Sequence, residues 1–257
     1  FNNINKEDGY RDIKKLSEKY KKNIKVLNLL SQISQKMGDI DTTINSLRKI
    51  LLIENNNIDL LSKIYKLFLI KSSLDEALEY IDTILRIDKG HYDSMRDKAY
   101  IYFLKNDFVN AKKYIDEILK LKDEDFFAYN IKGLIYLKNN ILHEAKDYFE
   151  QAIKINNKHV DSYNNLGVCL LELEKLNEAY KIFKDAYEID SNNTKTLINL
   201  GNVLSLQDNI LEAIKIYSKA LNLSPNNQEI LSNIAICYCR ENKEKEAKIY
   251  YDKAIKI

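Results

Sequence analysis

Val160–Asn193 reads VDSYNNLGVCLLELEKLNEAYKIFKDAYEIDSNN, and the next 34 residues repeat its key positions in register. Asn165-Leu166-Gly167 returns as Asn199-Leu200-Gly201, Ala179 as Ala213, Phe183 as Tyr217 and Ala186 as Ala220. A fixed period of this length marks an array of stacked helical pairs, each burying its apolar face against its neighbours. Stepping by 34 in both directions predicts units at 24–57, 58–91, 92–125, 126–159, 160–193, 194–227 and 228–257, with no insertion or deletion. Residues 1–23 continue the register backwards as the second helix of a partial repeat. There Gly9, Ile13 and Leu16 take the small, large and packing places.

The places within the unit are physically consistent. The twentieth holds Thr43, then Ala77, Ala111, Ala145, Ala179, Ala213 and Ala247. The twenty-fourth is large and apolar, from Leu47 through Phe149 and Phe183 to Tyr251. The eighth is small except at Tyr65, with glycine at 133, 167 and 201. Small residues at the eighth and twentieth places let two helix axes approach, and the twenty-fourth fills the space beside them. Turn-forming pairs, Gly38-Asp39, Ser72-Ser73, Asn106-Asp107, Asp208-Asn209 and Asn242-Lys243, separate the two helices of a unit. Asparagine-rich breaks and the single Pro225 separate one unit from the next. The expected fold is all-α, an α-solenoid of antiparallel helix pairs.

Composition narrows the function classes. With 40 basic and 38 acidic residues the net charge is +2, which gives no overall field for nucleic acid or an anionic membrane. No apolar run is long enough for a membrane span. Cys169, Cys237 and Cys239 form no disulfide framework and read as reduced structural thiols, so the cytoplasm is the expected compartment. Cys237 and Cys239 stand two apart on an expected helix and should point to different faces. His91, His143 and His159 are scattered with no partner at ligand spacing and read as solvated surface residues. No phosphate loop or nucleophile motif occurs, so neither cofactor, metal nor catalysis is expected.

The period, the Asn-Leu-Gly, the alanine at the twentieth place and the proline near the unit's end resemble the tetratricopeptide repeat family. The usual tryptophan of the fourth place is replaced by Leu27, Leu61, Met95, Tyr129, Tyr163, Leu197 and Leu231. The resemblance implies a right-handed superhelix whose first helices line a groove for a peptide or protein segment. It further implies that the second, fifth, sixth, ninth, twelfth and thirteenth places of each unit face that groove.

Two features stand at those places. Asn165, Asn199 and Asn233, with Asn130, Asn164 and Asn202 nearby, could hydrogen-bond both N–H and C=O of an extended peptide. The arrangement is similar to the asparagine ladder of protein O-linked N-acetylglucosamine transferases. The competing reading is that these amides satisfy neighbouring groups of the chain itself. Tyr100, Phe103, Phe127, Leu134, Leu137, Val168 and Leu171 could anchor apolar side chains of a partner, or be covered by adjacent helices. The lysine and asparagine clamp with which relatives hold chaperone C-termini is not matched in any three consecutive units.

The expected function is an interaction scaffold, with protein or peptide partners and no nucleic acid. The alternative is a targeting or regulatory arm of a larger enzyme, such as a transferase, whose catalytic domain lies outside this chain. That alternative is motivated by a start at Phe1 without an initiator methionine. It is motivated too by Tyr250, Ile255 and Ile257, which repeat the interior pattern of Ile216, Leu221 and Leu223. The last helix is therefore expected to be uncapped, either continuing into further repeats or associating with another molecule, including a second copy.

Overall fold

The computed structural model describes residues 4–257, and every regular element among them is an α-helix. A leading helix α1 (Ile4–Lys19) precedes seven helix pairs. The first helices are α2 (Ile24–Lys36), α4 (Ile58–Ile70), α6 (Tyr92–Leu104), α8 (Phe126–Lys138), α10 (Val160–Glu172), α12 (Thr194–Leu206) and α14 (Gln228–Arg240). The second helices are α3 (Ile40–Leu51), α5 (Leu74–Ile87), α7 (Phe108–Leu121), α9 (Leu142–Ile155), α11 (Leu176–Ile189), α13 (Ile210–Leu223) and α15 (Glu244–Ile255). The fold is an all-α solenoid. Helices α1–α7 form one compact unit, ending at Leu121, and α8–α15 a second, beginning at Lys122.

One backbone device turns the chain inside every pair. The fifteenth place has positive φ in all seven: Gly38, Ser72, Asn106, Asn140, Glu174, Asp208 and Asn242, between 57° and 76°. The next residue's N–H then bonds back to the carbonyl five residues earlier, as in Asp39 to Ser34 and Asn209 to Leu204, both 2.9 Å. This is the Schellman ending of a helix, which satisfies carbonyls that would otherwise lack partners. The thirty-fourth place then caps the following first helix. Asn23, Asn57, Asp125, Asn193 and Asn227 accept the N–H three residues on, at 2.8–3.2 Å.

In the second unit, a Cβ added to Gly133, Gly167 or Gly201 would lie 2.6, 2.3 or 2.5 Å from the ring of Phe149, Phe183 or Tyr217. The aromatic ring of the twenty-fourth place thus closes directly on the glycine of the eighth. In the first unit the same two places hold Tyr65 with Ile81 and Ala99 with Ile115, all fully buried. A second pairing joins the eleventh and twenty-third places. Phe68–Tyr80, Tyr102–Tyr114, Tyr136–Tyr148 and Tyr238–Tyr250 have ring centroids 5.0–5.9 Å apart.

The leading helix departs from the expectation at two of its three residues. Ile13 is buried, but Leu16 is 41% exposed and Ser17 is buried in its stead. A Cβ on Gly9 would touch nothing. No first helix among the described residues precedes α1, so nothing presses on its small and packing places. Its Tyr10 hydroxyl instead donates to Asp39, the cap of α3. At the other end Tyr250 is partly buried on the core, whereas Ile255 and Ile257 are exposed.

Candidate partner-binding face

The first helices of the second unit pack directly on one another, α8 on α10, α10 on α12 and α12 on α14. Amide side chains are exchanged across each contact. Asn165 Nδ2 donates to Asn130 Oδ1 at 3.0 Å, and Asn199 Nδ2 to Asn164 Oδ1 at 3.2 Å. Asn164 Nδ2 donates to Thr196 Oγ1 at 2.9 Å, and Asn233 Nδ2 to Asn202 Oδ1 at 3.0 Å. Asn202 Oδ1 also accepts the Tyr217 hydroxyl at 2.6 Å. Four helices are stitched by side chains about one repeat apart, on the third, fifth, sixth and ninth places.

This divides the six asparagines. Asn130, Asn164 and Asn165 are buried, Asn164 at 0% exposure, and their amides are bonded to neighbours. Lys195 Nζ lies 3.4 Å from Asn165 Oδ1 and donates to it. Asn199, Asn202 and Asn233 are half-buried. Asn199 and Asn233 each commit one amide N–H, and no described residue donates to either carbonyl oxygen. The reading that these amides satisfy the chain itself accounts for the buried three; the half-buried Asn199 and Asn233 keep an acceptor toward solvent.

The apolar residues divide in the same way. Leu134, Leu137, Val168 and Leu171 are half-buried and pack on the core of the second unit. Phe127 is half-buried on α8. In the first unit, Phe103 is buried and Tyr100 is 41% exposed, their rings 6.2 Å apart, with Phe108 at the same distance beyond Phe103.

Two of the three histidines are half-buried, against the expectation of solvated surface residues. His91 caps α6, its Nδ1 accepting from Ser94 N–H at 3.3 Å and from Ser94 Oγ–H at 2.9 Å. His159 is half-buried at the start of α10, its ring 4.8 Å from that of Phe126. Ser162 Oγ gives its one hydrogen to Asn130 Oδ1, so His159 Nδ1, 2.8 Å away, must be the donor to Ser162. Burial pushes the His159 pKa below the ordinary histidine value. Their thirty-fourth place, where asparagine stands in other units, was the signal in the sequence. His143 is exposed.

Cys237 is buried and Cys239 exposed, on different faces of α14. Burial pushes the Cys169 thiol up to about 11, and its S–H donates to the Leu142 carbonyl. Among the described residues, no group of three or more His, Cys, Asp or Glu side chains is placed to hold a metal ion. None of the described helices is long and apolar enough to cross a membrane.

Comparison with family models gives matches described as tetratricopeptide repeat, one model at 159–226 and 192–257 and another at 128–159. Together they span just over half of the chain. Comparison with curated protein sequences gives no match. Among solved structures, yeast Tom70 is similar over 97% of this chain and 54% of its own, with TM-score 0.74 and 15% identity. A tetratricopeptide repeat protein from Parabacteroides merdae is similar over 91% and 92%, with TM-score 0.67 and 16% identity. YrrB, described as having an unusual peptide-binding site, is similar over 68% and 91%, with TM-score 0.54 and 23% identity. At these identities the likeness is one of fold.

Proposed function

This chain belongs to the tetratricopeptide repeat family of protein-interaction scaffolds, and we propose that it holds an extended segment of another protein along the first helices of its second unit. The observation that carries this reading is the division of the asparagines. Buried Asn164 and Asn165 fix the rotamers of their neighbours, while Asn199 and Asn233 keep a carbonyl oxygen for a ligand N–H. An extended backbone needs such partners, because each N–H and C=O removed from water without one is costly. Amides held in place by neighbours present them with little ordering cost on binding. Leu134, Leu137, Val168 and Leu171 supply apolar contact beside them, with Phe127 at the α8 end. That YrrB carries a peptide-binding site on the same fold is in keeping with this role.

The test is selection of peptides from a random library on the intact chain, followed by measurement of their affinities. Asn199→Ala with Asn233→Ala should weaken the selected peptides about tenfold, from two lost hydrogen bonds of roughly 0.5–1.5 kcal/mol each. Helix content should be unchanged. Selected peptides that bind the double variant as tightly as the parent would rule the reading out.

A further inference from the structure

The first unit carries a cleft that the reading above does not use. It lies between the second helices α5 and α7, over α6, with a volume of about 1330 Å³. Sites for small molecules run to roughly 300–1,000 Å³, so this one is sized for a segment of chain. In the second unit the corresponding gap between α11 and α13 is bridged by Lys219 Nζ donating to the Tyr187 hydroxyl at 3.1 Å. Three repeats earlier, those two positions are Leu85 and Glu117, which cannot form that bond, and the gap stays open.

Its chemistry is specific. Half-buried Leu85 gives the cleft apolar surface above the buried Met95, and Leu121, largely exposed, extends it. Lys98 in the cleft wall is 6% exposed and is neutralised by Asp82, with its Nζ 4.4 Å from the Tyr114 ring centroid. Of the remaining charged residues lining the cleft, Arg86, Lys89, Lys113 and Lys120 outnumber Glu79 and Glu117. The cleft is therefore apolar within and positive around it.

We propose that this cleft docks an acidic amphipathic helix of a partner protein. Charge selects the acidic flanks, and the apolar lining takes a stripe of side chains at three- and four-residue spacing. The walls are helices whose backbone groups are bonded internally, and the cleft offers no side-chain amides. An extended segment sunk there would have to draw partners for its own N–H and C=O groups from the charged side chains around the cleft, which costs them their freedom. A helix arrives with those bonds already made.

The probe is a synthetic amphipathic helix of about 16 residues, long enough to be marginally helical alone. It carries leucine on one stripe and glutamate beside it, and its twin carries lysine for glutamate. Fluorescence anisotropy on the intact chain should give saturable binding of the acidic probe, with the lysine twin at least about tenfold weaker. Lys113→Glu with Lys120→Glu, both at exposed positions, should reverse that preference without changing helix content. Asn199→Ala with Asn233→Ala should leave it intact, which separates this site from the face proposed above. No saturation by about 1 mM overturns the proposal. So does equal binding of the twins, or an acidic probe indifferent to the double reversal. Dimerisation of the chain that the double reversal abolishes would also overturn it, because the occupant would then be a second copy.

Discussion

The two units use one period and fill it differently. In α8–α13 a glycine at the eighth place lies beneath an aromatic ring at the twenty-fourth; in α4–α7 Tyr65 or Ala99 faces an isoleucine. Core volume is conserved while the side from which it comes is exchanged, which is how interiors tolerate substitution. The exchange has consequences on the first-helix face. Where glycine stands, first helices pack directly and trade asparagine amides. Where Tyr65 stands, its buried side chain reaches across to the next first helix, and the hydroxyl donates to Asp97 at 2.9 Å. Burial, with that carboxylate beside it, raises the Tyr65 pKa, so the phenol keeps its hydrogen to donate.

The largest effect is expected from Gly167→Ala. Its Cβ would stand 2.3 Å from the Phe183 ring, so overpacking should outweigh the gain in helix propensity and cost about 2 kcal/mol. Native-state hydrogen exchange in α10 and α11 would read the loss locally. Adding Phe183→Ile should recover most of it by recreating the Ala99–Ile115 pair. A neutral single variant would contradict this account of the packing.

Thr196→Val tests the stitching. Thr196 is fully buried and accepts from Asn164, so the variant leaves that amide N–H unpaired, at a cost of about 1–2 kcal/mol in α10 and α12. The equivalent test in the first unit is Tyr65→Phe, which should cost about 1 kcal/mol and lower protection in α4 and α6. If either change were felt only outside its own unit, the local role assigned to that bond would be wrong.

Two smaller effects sharpen the picture. His159 binds its proton more weakly folded than unfolded, so its contribution is complete above the ordinary value of about 6.5 and is lost as pH falls through it. The thermal midpoint of the second unit should therefore drop between neutral and mildly acidic pH. His159→Asn, which matches the cap of other units, should flatten that part of the profile. Last, Glu174 holds φ at 59°, where its β-carbon is crowded. Glu174→Asn should stabilise by about 0.5 kcal/mol, and Ser72→Asn should act likewise in the first unit, both read by urea titration.

Much of this was legible from residue order. The 34-residue register places each helix pair, and the turn pairs at Gly38, Ser72, Asn106, Asp208 and Asn242 coincide with the positive-φ residues. Asn140 and Glu174 share that conformation at the same place of their units; asparagine tolerates it, whereas glutamate does not favour it and marked no turn in the sequence. The candidate face was half legible. Asparagines at the fifth and sixth places identify a polar stripe, but a linear sequence cannot tell Asn164, sealed at 0% exposure, from Asn199, which retains an acceptor.

The chain's order of residues settled what depends on neighbours three to thirty-four positions apart: helix periodicity, the small and large places, the caps and turns. These follow from local sterics and backbone hydrogen bonding, which recur wherever the same residues do. Tertiary packing decided how amides were shared between successive first helices, why Leu16 is exposed and Ser17 is not, and where the gap between α5 and α7 stays open. Those outcomes depend on which side chain from the next repeat reaches a given atom, a competition among contacts that no single repeat contains.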